Sequence, residues 1–431
     1  MLYAAMDRSA ENNKNALRPA RIFTLGCRLN QADTALLTDR LLGMGFYIQP
    51  EKAVEAPELV IINSCAVTAA AAAKSRQAAR KFQQKYPQAR IIFTGCAAEI
   101  DDEHIRTENW LKLGNVQKRD LAESVLSSIQ PEIIRSRDIT AENFAENACG
   151  LFPHRTRAFI KIQEGCDNFC SYCIVPYTRG PSRSRKFSEV IEDCRQAIGS
   201  GVPEIILTGV NTCNYSDEGR NLCNVIETLC ENIPGSWRLR LSSTEPALDN
   251  LALLETMARY PGKVCRFLHL ALQHGSNSVL KRMNRHYTVE EFEYFVNTAR
   301  DLIPGIHLGS DVIAGFPGET DDEFEESFNF IKRMQFANLH IFSYSKRTGT
   351  PAAVMKNQVP DTLKKIRHQR LEVLGETMKK AFAESFRNTT LPVIFETVDS
   401  SGIAHGWSDN YIAVSSPAES IKIGSISNII V

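Results

Sequence analysis

Two things are missing from this 431-residue sequence: a run of apolar residues long enough to span a bilayer, and an excess of charge of either sign. A spanning helix needs about 20 consecutive apolar residues, and no stretch approaches that. The first segment, residues 1–19, mixes Asp7, Arg8, Glu11 and Lys14 with alanine and asparagine. It lacks the apolar centre of a cleavable signal and reads as a frayed extension. Basic and acidic residues each number 50 and the pI is about 7.1, so no global field draws a polyanion. Any RNA contact must come from local patches. The 12 cysteines are not laid out as the framework of a small secreted chain. A soluble protein of the reducing cytoplasm is expected, with its thiols free for metal.

With 43% hydrophobic residues the chain can bury substantial cores, and its length suits two or three domains. From 20 to 148, short β-branched runs at 21–25, 59–62 and 90–94 precede Cys27, Cys65 and Cys96, and helical patterns fill 33–42 and 69–86. That spacing suits βαβ units and an open parallel sheet. From 152 to 385, strand candidates at 158–163, 204–208, 238–242, 266–272, 306–313 and 338–344 alternate with helical patterns. This predicts a partial (β/α)6 TIM-like barrel. A basic amphipathic helix follows at 362–386. From 386 to 431 the period changes to two, with strands expected at 391–398, 404–407, 411–414 and 421–431 and a small antiparallel β-barrel as the result. The class is α/β.

The strongest chemical signal is Cys166-Asp-Asn-Phe-Cys170-Ser-Tyr-Cys173. Zinc sites and redox dithiols are usually built from Cys-x-x-Cys pairs, and a lone trio fits neither. Three thiolates can hold three irons of a cubane cluster and leave the fourth open to a substrate or cofactor. The loop falls just past the first barrel strand, at the carboxyl face where barrel enzymes keep their chemistry. Thr208, Gly209, Ser243, Glu245, Gln273 and Asp311 lie near other strand ends and are candidate cofactor contacts, although each alone suits a turn or cap equally well. The turn Gly315-Phe-Pro-Gly318-Glu319 has glycines that would admit close backbone approach of a ligand. In the first domain, Cys27, Cys65 and Cys96 all fall at the carboxyl edge of a parallel sheet, where open α/β folds bind ligands. They are candidates for a second metal site, the alternative being small residues filling tight turns.

Two basic sets stand near these loops. Arg179, Arg183, Arg185 and Lys186 follow the second trio, and Lys74, Arg76, Arg80 and Lys81 lie on the helix after Cys65. Both are candidate phosphate contacts, against the alternative of a solvated charged face. Tyr172 and Tyr177 suit loop packing better than base stacking. Cys149, Cys194, Cys213, Cys223, Cys230 and Cys265 show no cluster spacing and read as packing thiols.

The second trio resembles the Cys-x-x-x-Cys-x-x-Cys signature of the radical S-adenosylmethionine (SAM) superfamily. The three parts together resemble the methylthiotransferase family, which joins an auxiliary-cluster domain, a radical SAM barrel and a TRAM domain. The residues carrying that likeness are 26–31, Lys74-Ser-Arg76, 161–166 through 179–185, Leu241-Ser-Ser-Thr-Glu-Pro246, Leu280-Lys-Arg-Met283, 311–319 and 344–351. Within the family the pattern is most similar to enzymes acting on N6-threonylcarbamoyladenosine at position 37 of tRNA. The resemblance implies two 4Fe–4S clusters, on Cys27, Cys65 and Cys96 and on Cys166, Cys170 and Cys173, and two SAM molecules per turnover. It implies that SAM cleavage at the second cluster yields a radical that takes hydrogen from carbon 2 of the adenine, while the auxiliary cluster presents sulfur. It also implies a tRNA anticodon loop, a reducing electron donor and a sulfur donor as partners. Three features depart from the family pattern. They are the alanine run at 69–73, Gly95-Cys-Ala-Ala-Glu99 where relatives carry Gly-Cys-Tyr-Ala-Gln, and a carboxy-terminal domain short for TRAM. Isopentenyladenosine in tRNA and a ribosomal-protein aspartate are alternative substrates. A non-catalytic iron–sulfur RNA-binding or redox-sensing protein is the alternative of another class, and it would not need the polar set at the barrel mouth.

Overall fold

The computed structural model describes residues 17–50, 52–100, 110–127, 156–246 and 250–431. The expected junction at 148–152, most of the expected extension and Cys149 lie outside them.

The first domain is a five-stranded parallel sheet, ordered Phe46–Ile48, Arg18–Thr24, Leu59–Ser64, Arg90–Gly95, Leu111–Leu113. Its first strand starts at Arg18, inside the stretch expected to fray. Leu59–Ser64 is buried throughout because it has neighbours on both sides and cover on both faces, hence its unbroken apolar run. Leu37 and Leu41 of the Arg28–Gly43 helix seal one face, and Ala72 and Ala79 of the Ala69–Lys85 helix seal the other. Of the alanine run at 69–73 only Ala72 is buried, and Ala69, Ala70 and Ala73 are exposed.

The second domain is a six-stranded parallel half-barrel. Arg157–Lys161, Glu204–Thr208 and Arg238–Leu241 pair in turn. The third strand breaks at Ser242 and resumes as Ser243–Thr244, which pairs with Phe267–Gln273, and His307–Ala314 and Asn338–Ser343 follow in turn. Alternate residues face opposite ways. Leu268, Leu270 and Leu272 enter the core shared with the surrounding helices, which leaves His269 and Gln273 toward the barrel interior.

The carboxy-terminal segment is a four-stranded antiparallel sheet ordered Ala413–Pro417, Ile403–Ser408, Thr390–Val398, Ile426–Ile430, forming a half-barrel. The strand expected from 411 starts at Ala413, because Tyr411 sits in a turn with φ 60° and packs its ring on Phe267 of the barrel. The sheet is bound to the amino-terminal end of the barrel strands. Arg238 donates to the carbonyls of Pro392 and Trp407 at 2.9 and 3.0 Å, and Arg240 to that of Asp409 at 2.9 Å. The opposite end, where both cysteine sets lie, is left for chemistry.

Candidate active site

The second cysteine loop is fixed by backbone and buried polar groups. Gly165 precedes Cys166 with φ 75°, and a Cβ there would lie 1.9 Å from the Pro181 carbonyl oxygen, so only glycine fits. Gln163 is fully buried just before it. Its Oε1 accepts from the backbone N–H groups of Val210 and Asn211, and its Nε2 donates to the Gly165 carbonyl and the Ser182 hydroxyl. Arg285 donates to Cys170 Sγ at 3.1 Å and pairs with Glu245 at 2.6 Å. Glu245 in turn accepts from Asn168 of the loop and from Asn211 at 2.9 Å. Burial pushes the Cys166 thiol up to about 11, and burial followed by the neighbouring Cys170 pushes Cys173 up to about 12. Thiols at Cys166 and Cys173 that resist becoming anionic are what positive iron relieves. The donor set therefore fits an iron–sulfur cluster.

Cys27, Cys65 and Cys96 follow three neighbouring parallel strands and share one edge of the sheet. Cys27 stands at the N-cap of the Arg28–Gly43 helix, whose first turn carries no acidic residue. Gly26 has φ 102°, and a Cβ there would lie 2.9 Å from Cys65 Cβ, so the glycine lets the Cys27 loop lie against Cys65. Asn30 Nδ2 ties the two loops by donating to the Leu25 and Ser64 carbonyls at 2.7 and 2.9 Å. Burial pushes Cys65 up to about 11 against the Val67 N–H, and the thiols of Cys96 and Cys27 add to it. Cys65 and Cys96 are buried while Cys27 is exposed, so the group is open on one side.

Both loops reach one cavity of about 160 Å³. Val67 and Thr68, just after Cys65, form one wall, and Tyr172, between Cys170 and Cys173, forms another. Of the expected cofactor contacts, Gln273 and Asp311 line this cavity, and Glu245 holds the cluster loop. Thr208 is buried beneath Ser242, Gly209 packs on Gln163, and the Ser243 carbonyl accepts from Thr212. None of these three lines the cavity. The Gly315 turn is likewise closed by the protein itself. Glu319 accepts from the N–H groups of Gly315 and Phe316, and a Cβ on Gly315 would strike Lys364 at 2.4 Å.

The basic run after the loop corrects the expectation of four phosphate contacts. Arg179 is 2% exposed and pairs with Glu164, Asp33 and Asn30. Arg185 is also 2% exposed and pairs with Asp193 at 2.8 Å, and Arg183 lies against Glu164 at 3.5 Å. Burial with acidic partners commits these guanidiniums internally, and Lys186 is the exposed member. On the outer helix Lys74, Arg80 and Lys81 are exposed and Arg76 is half-buried. Gln163, Asn211 and Arg285 were not singled out by sequence. A polar residue directly after a buried strand was a signal for Gln163, whereas nothing near Arg285 in the chain points to Cys170.

The Radical SAM superfamily matches residues 160–331, and the Uncharacterized protein family UPF0004 matches residues 20–113. Threonylcarbamoyladenosine tRNA methylthiotransferase MtaB of Bacillus subtilis is 36% identical over 414 residues, covering 94% of this chain and 91% of that protein. The protein of the same name from Thermotoga maritima is 32% identical, covering 92% and 91%. A tRNA-2-methylthio-N(6)-dimethylallyladenosine synthase of Rickettsia conorii is 33% identical, covering 87% of each. Among solved structures, the radical SAM methyltransferase TsrM of Kitasatospora setae superposes with a TM-score of 0.56 at 13% identity, covering 78% of this chain and 75% of that one, a likeness of fold. Identity above 30% over more than nine-tenths of the chain shows that it belongs to the methylthiotransferase family of radical SAM enzymes, which transfer a sulfur-containing group.

Proposed function

We propose that the protein adds a methylthio group to carbon 2 of N6-threonylcarbamoyladenosine at position 37 of tRNA, with one 4Fe–4S cluster on each cysteine trio. The observation that carries this reading is the single cavity bounded by both cysteine loops. A reaction that needs a radical and a sulfur donor at one carbon requires both to reach the same space. When bound, the cluster on Cys166, Cys170 and Cys173 with SAM supplies a radical able to take hydrogen from a carbon that no side-chain base could deprotonate. The chain's own part is placement. Arg285 and Glu245 fix the cluster loop, Tyr172 and Phe342 wall the cavity, and Gln273 and Asp311 offer polar contacts. Outside, Phe169 and Tyr177 pair edge-to-face at 6.0 Å and are 50% and 40% exposed, a surface suited to an unstacked base. The names carried by the Bacillus and Thermotoga relatives support the threonylcarbamoyl substrate. Among the described residues no helix is long and apolar enough to cross a membrane, in keeping with work in the cytoplasm beside an electron donor and a sulfur donor.

Mass spectrometry of tRNA nucleosides, from cells lacking the gene and from the same cells with it restored, tests the reading. Restored methylthio-threonylcarbamoyladenosine is the expected result. Methylthio-isopentenyladenosine would replace the substrate, and an unchanged nucleoside profile would overturn tRNA as the target. The division of labour is separable in vitro. Cys166→Ala should abolish SAM cleavage, whereas Cys65→Ala should leave cleavage largely intact and stop thiolation.

A further inference from the structure

Three adjacent barrel strands place His269, Asp311 and His340 together inside the half-barrel, beside the cavity that Asp311 lines. Asp311 and His340 are cross-strand partners in register, and His269 stands opposite Gly309. His269 Nε2 lies 2.9 Å and His340 Nδ1 3.3 Å from the same oxygen, Asp311 Oδ1. All three donor atoms fall within 4.8 Å of one another. Metal–ligand bonds of about 2.0–2.2 Å put neighbouring donors roughly 3.0–3.5 Å apart, close to the two spacings from Asp311 Oδ1 to the imidazoles. The absence of a side chain at Gly309 makes the room: a Cβ there would lie 2.8 Å from His269 Nδ1. The His269 side chain is 8% exposed, that of Asp311 24% and that of His340 55%, so the group is anchored at one end and accessible at the other.

We infer that His269, Asp311 and His340 form a binding site for one divalent transition-metal ion, separate from both cysteine sets. Two imidazoles and a carboxylate on one side of an ion leave its remaining positions open, and that ligand set suits borderline cations such as manganese, iron or zinc. Among the described residues only the two imidazoles bond the Asp311 carboxylate, and no lysine or arginine neutralises it. A carboxylate at the cavity wall, flanked by two imidazoles and by no cationic side chain, offers oxygen to a cation. The open positions face space next to the cavity and would take an oxygen donor. If the proposed substrate is right, and on that reading alone, its threonyl carboxylate is such a donor and the ion is what lets it approach Asp311.

The test needs no activity. Full-length protein with its clusters loaded, free of SAM and RNA, is titrated with manganese(II) while the electron paramagnetic resonance signal of unbound ion is followed. The expected result is about one tightly bound manganese per chain, weakened at least tenfold in His340→Ala and in Asp311→Asn, with cluster iron unchanged in both. His340 is half in solvent and Asp311→Asn is isosteric, so neither change should unfold the barrel. Absence of manganese binding by the parent protein, or equal binding by parent and both variants, would overturn the site. Addition of N6-threonylcarbamoyladenosine should then tighten retention of the ion. Retention without tightening keeps the metal site and removes the carboxylate assignment.

Discussion

Arg285 reaches Cys170 Sγ with Nη1 while Nη2 holds both Glu245 and the Ala271 carbonyl, so one side chain ties the cluster loop to the fourth barrel strand. Groups that orient metal ligands in this way typically contribute about 10–100-fold to metal affinity or activity. Arg285→Met should therefore lower iron retained per chain under chelator challenge by that order, while Arg333→Met, on a surface pair with Glu293, should not change it. Glu99 offers a pH-dependent case. Burial raises its carboxyl to about 7, against the N–H of Asn115. The unfolded chain releases this proton near 4.5 and the folded chain near 7. Stability from this group is therefore full below 4.5, declines between the two values and stays reduced above about 7. Glu99→Gln, which restores the residue expected at this family position, should stabilise the first domain by up to about 3 kcal/mol at pH 8 and by little at pH 5. Urea denaturation at the two pH values measures the difference, and an equal effect at both would show that the carboxyl is not titrating there.

At the scale of elements, most strands and helices were legible because period and length agree. The runs before Cys27, Cys65 and Cys96 had to be parallel strands once helical patterns separated them, and parallel strands put those cysteines on one edge. What could not be read was the partner of each loop residue. Gly315 looked like room for a ligand and proved to be room for Lys364, forty-nine positions on in the chain. The Arg179–Arg185 run looked like a phosphate patch because charge without visible partners reads as exposed, but Asp33 and Glu164 neutralise Arg179 from two different domains. The His269, Asp311 and His340 group escaped notice for the same reason, since three strands contribute one residue each. Gly165 is the turn where backbone and packing demands coincide. Gly165→Ala places a Cβ on the Pro181 carbonyl at a positive φ, and it should cost about 2–4 kcal/mol with loss of cluster loading. Wild-type iron content and an unchanged urea midpoint in that variant would show that the loop relaxes freely.

At the scale of the whole molecule, two buried ionic hubs hold three domains in one arrangement. Glu204, fully buried on the barrel floor, pairs with Arg157, Arg238 and Arg240, and those arginines carry the carboxy-terminal sheet. Glu204→Ala would leave buried guanidiniums without their counter-charge, and should destabilise by about 3–5 kcal/mol. The loss should appear as a lower thermal midpoint, with the carboxy-terminal sheet exchanging its amides first. Asp33 is the hub at the other seam. It comes from the first domain with Lys118, and it meets Lys161 and Arg179 of the barrel at 2.7 and 3.0 Å. Burial alone would push the Asp33 carboxyl up, but the three cations outweigh it and hold it well below the usual range. Arg179 also feels the thiols of Cys96 and Cys27, so this seam sets how the two cysteine loops face each other across the cavity. A displacement of about 1 Å between reacting groups can cost on the order of 100-fold in rate. Asp33→Ala should therefore separate two activities. SAM cleavage, which needs only the barrel loop, should persist within a few-fold, while methylthiolation, which needs both loops in register, should fall by that order. Equal loss of both activities would mean that Asp33 merely holds the barrel together. Full retention of both would mean that the relative placement of the loops is set elsewhere, by contacts such as Asn115 Nδ2 with the Thr178 carbonyl at 2.8 Å.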